Sequence, residues 1–469
     1  MSSVFYPAAR RRFAIPILLG AWVAAIVAAP DLTAKLALAA PAVLVPLALW
    51  TLESPGRWIA GFVAAALLLP PLPIALGDSG PHLCLLFAGL GLLAGLIGAG
   101  SWHAPATALN YALAALLVLL LASVAPAALH SGGAVAAGSL ARVALFAIAV
   151  YAFFFTAYGP GAASASFSAL PWLYWTAAAS ALFACVDFYF QFPAPAGYEQ
   201  QFIWLDSGVY RRAQGLFYEA STLGNLCAFF LEMIAVALFR PRKDQPFSRL
   251  ELSAGGGALA VALILSFSRA SLVNLAVAMT ILLWLNRERI HWRRMLISAG
   301  LVGAAAGAIL TAAFPAFTGM AWLRLLNAFQ YFFESPNAVL SGRIQSWQTL
   351  WAFLASNPWH ALLGVGYKTL PYSDFIGTTA VGDNTYLTLL LETGILGLAA
   401  VIALNCTIIV YAHRAARSAS SLGSFCGTWM LCFWAGQIAQ MFSADLLTYW
   451  RVLPVYFFVL ALAMRQERV

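Results

Sequence analysis

The chain has 469 residues, 62% of them hydrophobic, and carries only 25 basic and 17 acidic side chains. A soluble protein devotes about 25% of its residues to charge, so a soluble enzyme and a disordered chain are both excluded and a polytopic membrane protein is indicated. The net charge of +8 needs no nucleic-acid partner, because a lysine and arginine excess orients helices in a lipid bilayer.

The N-terminal MSSVFYPAARRRF and the apolar run behind it have the outline of a signal peptide. No polar mature domain follows, so the segment reads as a first transmembrane helix with a basic cytoplasmic flank. Runs long enough to cross the hydrocarbon core, about 20 residues each, begin near positions 13, 35, 58, 82, 105, 134, 169, 215, 251, 270, 295, 386, 422 and 451. The expected fold is all-α, with about 12–14 transmembrane helices in a single membrane domain over residues 1–469. Placing the N-terminus inside puts most basic residues on the inner face, among them the clusters RPRKDQPFSR and RERIHWRR, as the positive-inside rule requires. Two stretches then lie outside. One is the aromatic and polar loop 191–214. The other is a large loop at 315–385, broken by Pro315, Pro336, Pro358 and Pro371. Pieces of that loop such as 321–333 read as short amphipathic helices at the interface. The six cysteines all sit in apolar runs without metal spacing, which indicates buried thiols and no metal site.

Few arginines remain outside, and they stand beside polar motifs. Arg211 and Arg212 open YRRAQGLFYEASTLGN, read as the start of the eighth helix. Arg269 lies in the SFSRAS hairpin, Arg343 in SGRIQSW, and Arg142 in GSLARVAL. The topology lets these five converge on one outward-facing site. A guanidinium grips phosphate oxygens in bidentate fashion at any physiological pH, so the set suits a lipid diphosphate. The plainer alternative is helix-end arginines snorkelling to headgroups. Glu219, seven residues beyond Arg212, would share its helix face as an arginine partner or an active-site acid.

A second constellation is GVGYKTLPYSDFIGTTAVGDNTYLTLLLETGILGL. Its glycine-bearing turns bracket a polar loop ending at Asp383 and Asn384, either of which can cap the helix that follows. Glu392 falls within that helix, where an arginine partner is expected. His360 is the only histidine of the large outer loop and a candidate catalytic group. Walker A, HExxH and GxSxG motifs are absent from the sequence, and no cofactor is called for.

At these residues the sequence resembles the O-antigen ligase and O-antigen polymerase superfamily of bacterial envelope glycan enzymes. The resemblance rests on Arg212-Ala-Gln-Gly215, on Ser268-Arg269, and on Arg343 followed by Trp347. It extends through Pro358 to Gly364-Val365-Gly366, then Asp383-Asn384-Thr385-Tyr386-Leu387 with Glu392, Gly394 and Gly397. It covers about residues 205–400, while the first half matches only in hydropathy. The resemblance implies a GT-C-like glycosyltransferase in the bacterial inner membrane with its active site facing the periplasm. The reaction would be metal-independent and inverting. Its donor would be a glycan on undecaprenyl diphosphate, and its acceptor a growing glycan or lipid A-core, alongside envelope polysaccharide assembly proteins. Arg343 and Arg212, with Arg269, Arg211 and Arg142, would hold the diphosphate. Asn384 and Tyr386 would place sugar hydroxyls; the aromatics Trp204, Tyr210, Trp347 and Trp359 would stack on sugar rings or, the commoner use, anchor the chain at the membrane interface. Where the family carries a histidine as proposed general base, this sequence has Asp383. An aspartate is unprotonated at neutral pH but a weaker base than imidazole. Two alternatives stand beside it: His360 supplies the base, or the chemistry has been lost. From another functional class, a flippase or transporter of a lipid-linked anionic glycan would also want arginines, but on both faces and near the midplane. A structural subunit would not need so dense a set of polar motifs.

Overall fold

The computed structural model describes residues 20–54, 56–72, 80–160, 169–195, 197–205, 208–288, 342–371 and 382–465, with scattered helical positions between 304 and 330. The expected helices near 13 and 295 and the amphipathic piece at 321–333 fall wholly or largely outside these residues.

Helices dominate because apolar side chains recur without interruption and a backbone in lipid must satisfy its own hydrogen bonds. A helical stretch at 20–28 precedes α1 (Leu32–Glu53), α2 (Arg57–Leu68), α3 (Cys84–Ile97), α4 (Ala108–Ala122), α5 (Val124–Tyr158) and α6 (Ala169–Phe190). A two-stranded antiparallel hairpin follows, β1 (Phe202–Leu205) with β2 (Gly208–Arg211), pairing Phe202 with Arg211. Then come α7 (Ala220–Leu238), α8 (Arg249–Leu265), α9 (Arg269–Leu285), α10 (Arg343–Ser356), the single turn α11 (His360–Leu363), α12 (Thr385–Ala416), α13 (Ser421–Gln440) and α14 (Leu453–Met464). Except for those near 13 and 295, each expected start has a helix within a few residues. The one near 134 corresponds to a break inside α5 at Gly132, whose φ of 83° interrupts the helix.

The structure is thus an all-α multi-pass membrane architecture. Among the described residues, Ala169–Phe190, Ala220–Leu238, Thr385–Ala416 and the continuous run Ala108–Tyr158 are long and apolar enough to cross a bilayer. At 1.5 Å per residue, the 12 to 14 residues of α2, α3 and α14 reach only about 18–21 Å, short of a hydrocarbon core of about 30 Å. The C-terminal helices make the centre. α14 is buried along its whole length and packs against α5 and α13, while α13 also packs on α9 and α12.

Local chemistry sets the helix starts that matter for the site. Ser248 and Glu251 form a reciprocal capping box on α8, the arrangement that satisfies two end donors at once. Ser268 caps α9 by accepting from Ser271 N, which fixes Arg269 as that helix's first residue. Asn384 caps α12, its Oδ1 accepting from Tyr386 N at 3.0 Å and Leu387 N at 3.1 Å. Asp383 is thereby left just outside the helix.

Candidate active site

A cavity of about 2050 Å³ opens among α3, α4, α5 and the loops that precede α7, α9, α12 and α14. One wall is apolar and small, with Ala88, Gly89, Ala141, Leu145 and Ile148. Charged residues line the cavity as well, Arg142 beside Ala141 on α5 and Arg212, Glu219, Arg269, Arg343 and Asp383 on the loops and helix starts.

Arg343 and Asp383, forty positions apart in sequence, meet here. Arg343 Nε lies 3.2 Å from Asp383 Oδ2, with side chains 25% and 45% exposed. Arg343 starts α10 directly after Gly342, and Asp383 precedes the Asn384 cap. A pair this open contributes at most about 1 kcal/mol to folding, so its placement needs a reason other than stability. Arg212 and Arg269 are joined through the α8–α9 hairpin. Arg212 Nε donates to Ser266 O at 2.7 Å, and Ala213 N donates to Leu265 O at 3.0 Å. Gln201 Oε1 accepts from Arg212 Nη1 and holds the other side of the guanidinium. The strand segment is therefore stitched to the hairpin that presents Arg269, and both arginines face the same cavity.

The structure places several other expected site residues differently. Arg211 and Arg212 do not open a helix. Arg211 ends β2, and Gly215, at φ 56°, makes a turn that packs against Ala184. The helical spacing expected between Arg212 and Glu219 therefore does not exist. Glu219 reaches the cavity as the residue before α7. Burial pushes its carboxyl up to about 7, reinforced by the neighbouring Glu199, Asp383 and Asp445 and opposed by Ser221. Arg211 itself turns away from the cavity into a buried pair with Asp187 at 2.6 Å and donates to Phe192 O at 2.7 Å. Alternation along a strand sends adjacent side chains to opposite faces, which is why two neighbouring arginines part.

Asn384 is occupied with its cap. Tyr386 donates to Ile438 O at 3.2 Å and packs on Phe442 at 4.7 Å between ring centres. These two line a separate apolar pocket of about 290 Å³ with Trp347 and do not line the charged cavity. His360 also lies off that cavity. It stacks on Phe353 at 5.5 Å and meets His130 edge-on at 5.3 Å. Burial and the His130 ring lower its pKa. Of the aromatics expected to stack on sugars, Tyr210 packs on Phe188 and Trp359 is exposed. The Trp204 side chain lies outside the described residues. Tyrosines 151, 198, 218, 367 and 449 line the cavity instead.

Several cavity residues were not singled out from sequence. Lys368, in a left-handed conformation at φ 57°, pairs with Asp445, and both side chains are 10% exposed. Arg451 is buried and donates to Ala66 O, Leu69 O, Leu216 O and Tyr198 Oη. It thus satisfies carbonyls at the C-terminal end of α2, where a cation is favoured. His82 accepts from Cys84 N through Nδ1 and has Nε2 2.9 Å from Leu69 O. Burial and nearby Arg451 lower its pKa to about 4, which marks it as a structural neutral imidazole. Among the described residues there is no group of three or more His, Cys, Asp or Glu side chains placed to hold a metal ion.

Gly364 explains the glycine-bearing segment after Pro358. It adopts φ 73°, and a Cβ there would stand 2.3 Å from Glu392 O. With no side chain in the way, Val365 N and Gly366 N reach the carbonyls of Leu391 and Glu392, each at 2.9 Å. The segment is thereby locked onto α12 beside the cavity.

Fold and site together define a helical multi-pass membrane protein with a charged cavity set against apolar helices. Residues 254–402 match the family model described as O-antigen ligase, and that segment holds Arg269, Arg343, Gly364, Asp383 and Glu392. The match upholds the motif resemblance to the O-antigen ligase and polymerase superfamily over those residues. No curated protein matches the chain.

Proposed function

We propose that the protein is an inverting glycosyltransferase of the bacterial inner membrane, moving a glycan from undecaprenyl diphosphate to an acceptor sugar hydroxyl on the periplasmic face. The observation that carries this reading is the half-open Arg343–Asp383 pair on a cavity that Arg212 and Arg269 also line. In this reading the acceptor oxygen bonds to the anomeric carbon as the bond from that carbon to the diphosphate breaks, with inversion. Asp383 takes the acceptor proton. Arg212, Arg269 and Arg343 stabilise the charge that develops on the departing diphosphate, which fixed cations do without reorganisation. Arg142 faces the same cavity, and the small apolar side chains of α3 and α5 suit a polyprenyl tail. The reaction uses no metal. The acceptor is a growing glycan in a polymerase or lipid A-core in a ligase, and envelope polysaccharide assembly proteins are the natural partners.

The test uses the full chain in lipid nanodiscs with undecaprenyl-diphosphate-linked glycan as donor. Transfer is expected to persist in EDTA and to fall sharply in Arg343→Ala and Asp383→Asn. Full activity in both variants sinks the site assignment. A transporter of the same lipid would share the cations but has no use for a proton acceptor. Movement of the lipid without glycan transfer would favour that reading.

A further inference from the structure

The arginine group accounts for only part of the cavity wall. A second cluster comprises Tyr367, Lys368, Glu392 and Asp445, all lining the same space. Glu392 is 1% exposed and Tyr367 also 1%. The backbone N–H groups of Lys368 and Leu370 face the Glu392 carboxylate, yet Glu392 Oε2 has no hydrogen-bond partner among the described residues, nor has Tyr367 Oη. Buried polar atoms are nearly always paired, and those that are not ask for an explanation. Two of them on one cavity wall are placed for a ligand that brings its own donors and acceptors.

The charges here select the ligand's class. Lys368 is already taken by Asp445, and it is also the cation nearest Glu392. One cation faces two carboxylates here, so a phosphate gains nothing by binding at this cluster. A neutral polyol suits it, with hydroxyls that donate to a carboxylate oxygen and exchange bonds with a phenol. The backbone is also held for a purpose at this point. Lys368 is one of three non-glycine residues with positive φ among those described, and Phe267, another, lines the same cavity. Strain of this kind persists where the surroundings enforce it, commonly at ligand sites.

We propose that this second cluster is a carbohydrate subsite. Tyr367 Oη and Glu392 Oε2 bond the hydroxyls of a sugar, while the diphosphate lies at Arg212, Arg269 and Arg343. The inference rests on the glycosyltransferase reading and divides its cavity into a phosphate half and a sugar half. The sugar is that of the donor or that of the acceptor, and the chemistry of recognition is the same for both.

The test is a binding measurement on the full chain in nanodiscs with three probes. These are the lipid-linked glycan purified from the cells that make this protein, sugar-free undecaprenyl diphosphate, and the same glycan released from its lipid by mild acid. Tyr367→Phe removes one unpartnered hydroxyl, and Glu392→Gln keeps the side chain's shape and an oxygen to accept from the Lys368 and Leu370 N–H groups. Each is expected to weaken a sugar-bearing probe roughly 3- to 10-fold and to leave sugar-free undecaprenyl diphosphate within twofold of wild type. A loss confined to the lipid-linked glycan assigns the donor sugar, and one confined to the released glycan assigns the acceptor. Unchanged affinity for both sugar-bearing probes, or an equal loss for the sugar-free lipid, overturns the subsite. If the wild type binds neither lipid, the glycosyltransferase reading itself fails and takes the subsite with it.

Discussion

Arg211 and Asp187 close to 2.6 Å with both side chains almost wholly buried, whereas Arg343 and Asp383 sit at 3.2 Å with a quarter and nearly half of their surfaces exposed. The residue types are the same and the surroundings opposite. A buried pair is locked, because removing one partner strands a charge where water cannot reach it. A half-open pair can be taken apart by a ligand at little cost, since solvent already screens much of the attraction. Burial therefore separates the arginine that holds the protein together from the arginine that is available to a substrate. Arg212 shows how fine the division is: one residue along from Arg211, it faces the cavity.

The comparison fails if the two pairs respond alike. Arg211→Ala should be the most damaging change to the fold, costing about 3–5 kcal/mol and lowering the thermal midpoint of the purified protein. Replacing Arg211 and Asp187 together with apolar residues should recover much of that loss. Arg343→Ala should leave the midpoint within about 1 kcal/mol of wild type while cutting glycan transfer roughly 100- to 1000-fold. A third kind of polar group sharpens the contrast. Asn225, Asn274, Gln437 and Gln440 form a buried amide cluster between helices, joined by Tyr456, which donates to Asn225 Oδ1 at 2.6 Å. None of these five lines the charged cavity. Asn225→Ala should cost about 0.6–2 kcal/mol of stability and leave the transfer rate per folded molecule unchanged.

The smallest expected effect is a pH dependence. The folded-state pKa of Glu219 is raised to about 7, chiefly by burial, above the ordinary glutamate value of about 4.3. Between those two values the folded state holds more protons than the unfolded one, so stability falls as pH rises through that window. Glu219→Gln should flatten that part of the stability profile. A profile unchanged by the substitution would contradict a desolvated Glu219 carboxyl.

Much of this was legible in the sequence because lipid imposes so strong a rule. Apolar runs and the distribution of basic residues locate twelve helix starts within a few residues, and the polar motifs at Arg269, Arg343 and Asp383 stand out against that background. The misplacements have local causes. The stretch before α7 is apolar enough to pass for the start of a helix, and only the left-handed Gly215 reveals the turn that undoes the spacing of Arg212 and Glu219. Asn384 and Tyr386 sit in the same short motif as Asp383, but capping and packing on Phe442 claim them for the helix. Helical geometry separates what the motif joins. Asp445 and Lys368 went unnoticed for the reverse reason. Seventy-seven residues apart, they become a pair only when the loop before α14 folds over the segment after Gly366. Lys368 did lie inside a segment already notable for its glycines, which was the available signal.

The central claim is that Asp383, paired with Arg343 on the cavity wall, receives the acceptor's proton. The most direct measurement compares Asp383→His with Asp383→Ala for glycan transfer from undecaprenyl diphosphate in nanodiscs. The histidine variant installs the residue type that the motif resemblance implies at this position. The account predicts that it keeps at least roughly a tenth of wild-type transfer while the alanine variant falls about 100-fold or more. Equal, undiminished transfer in both would contradict it.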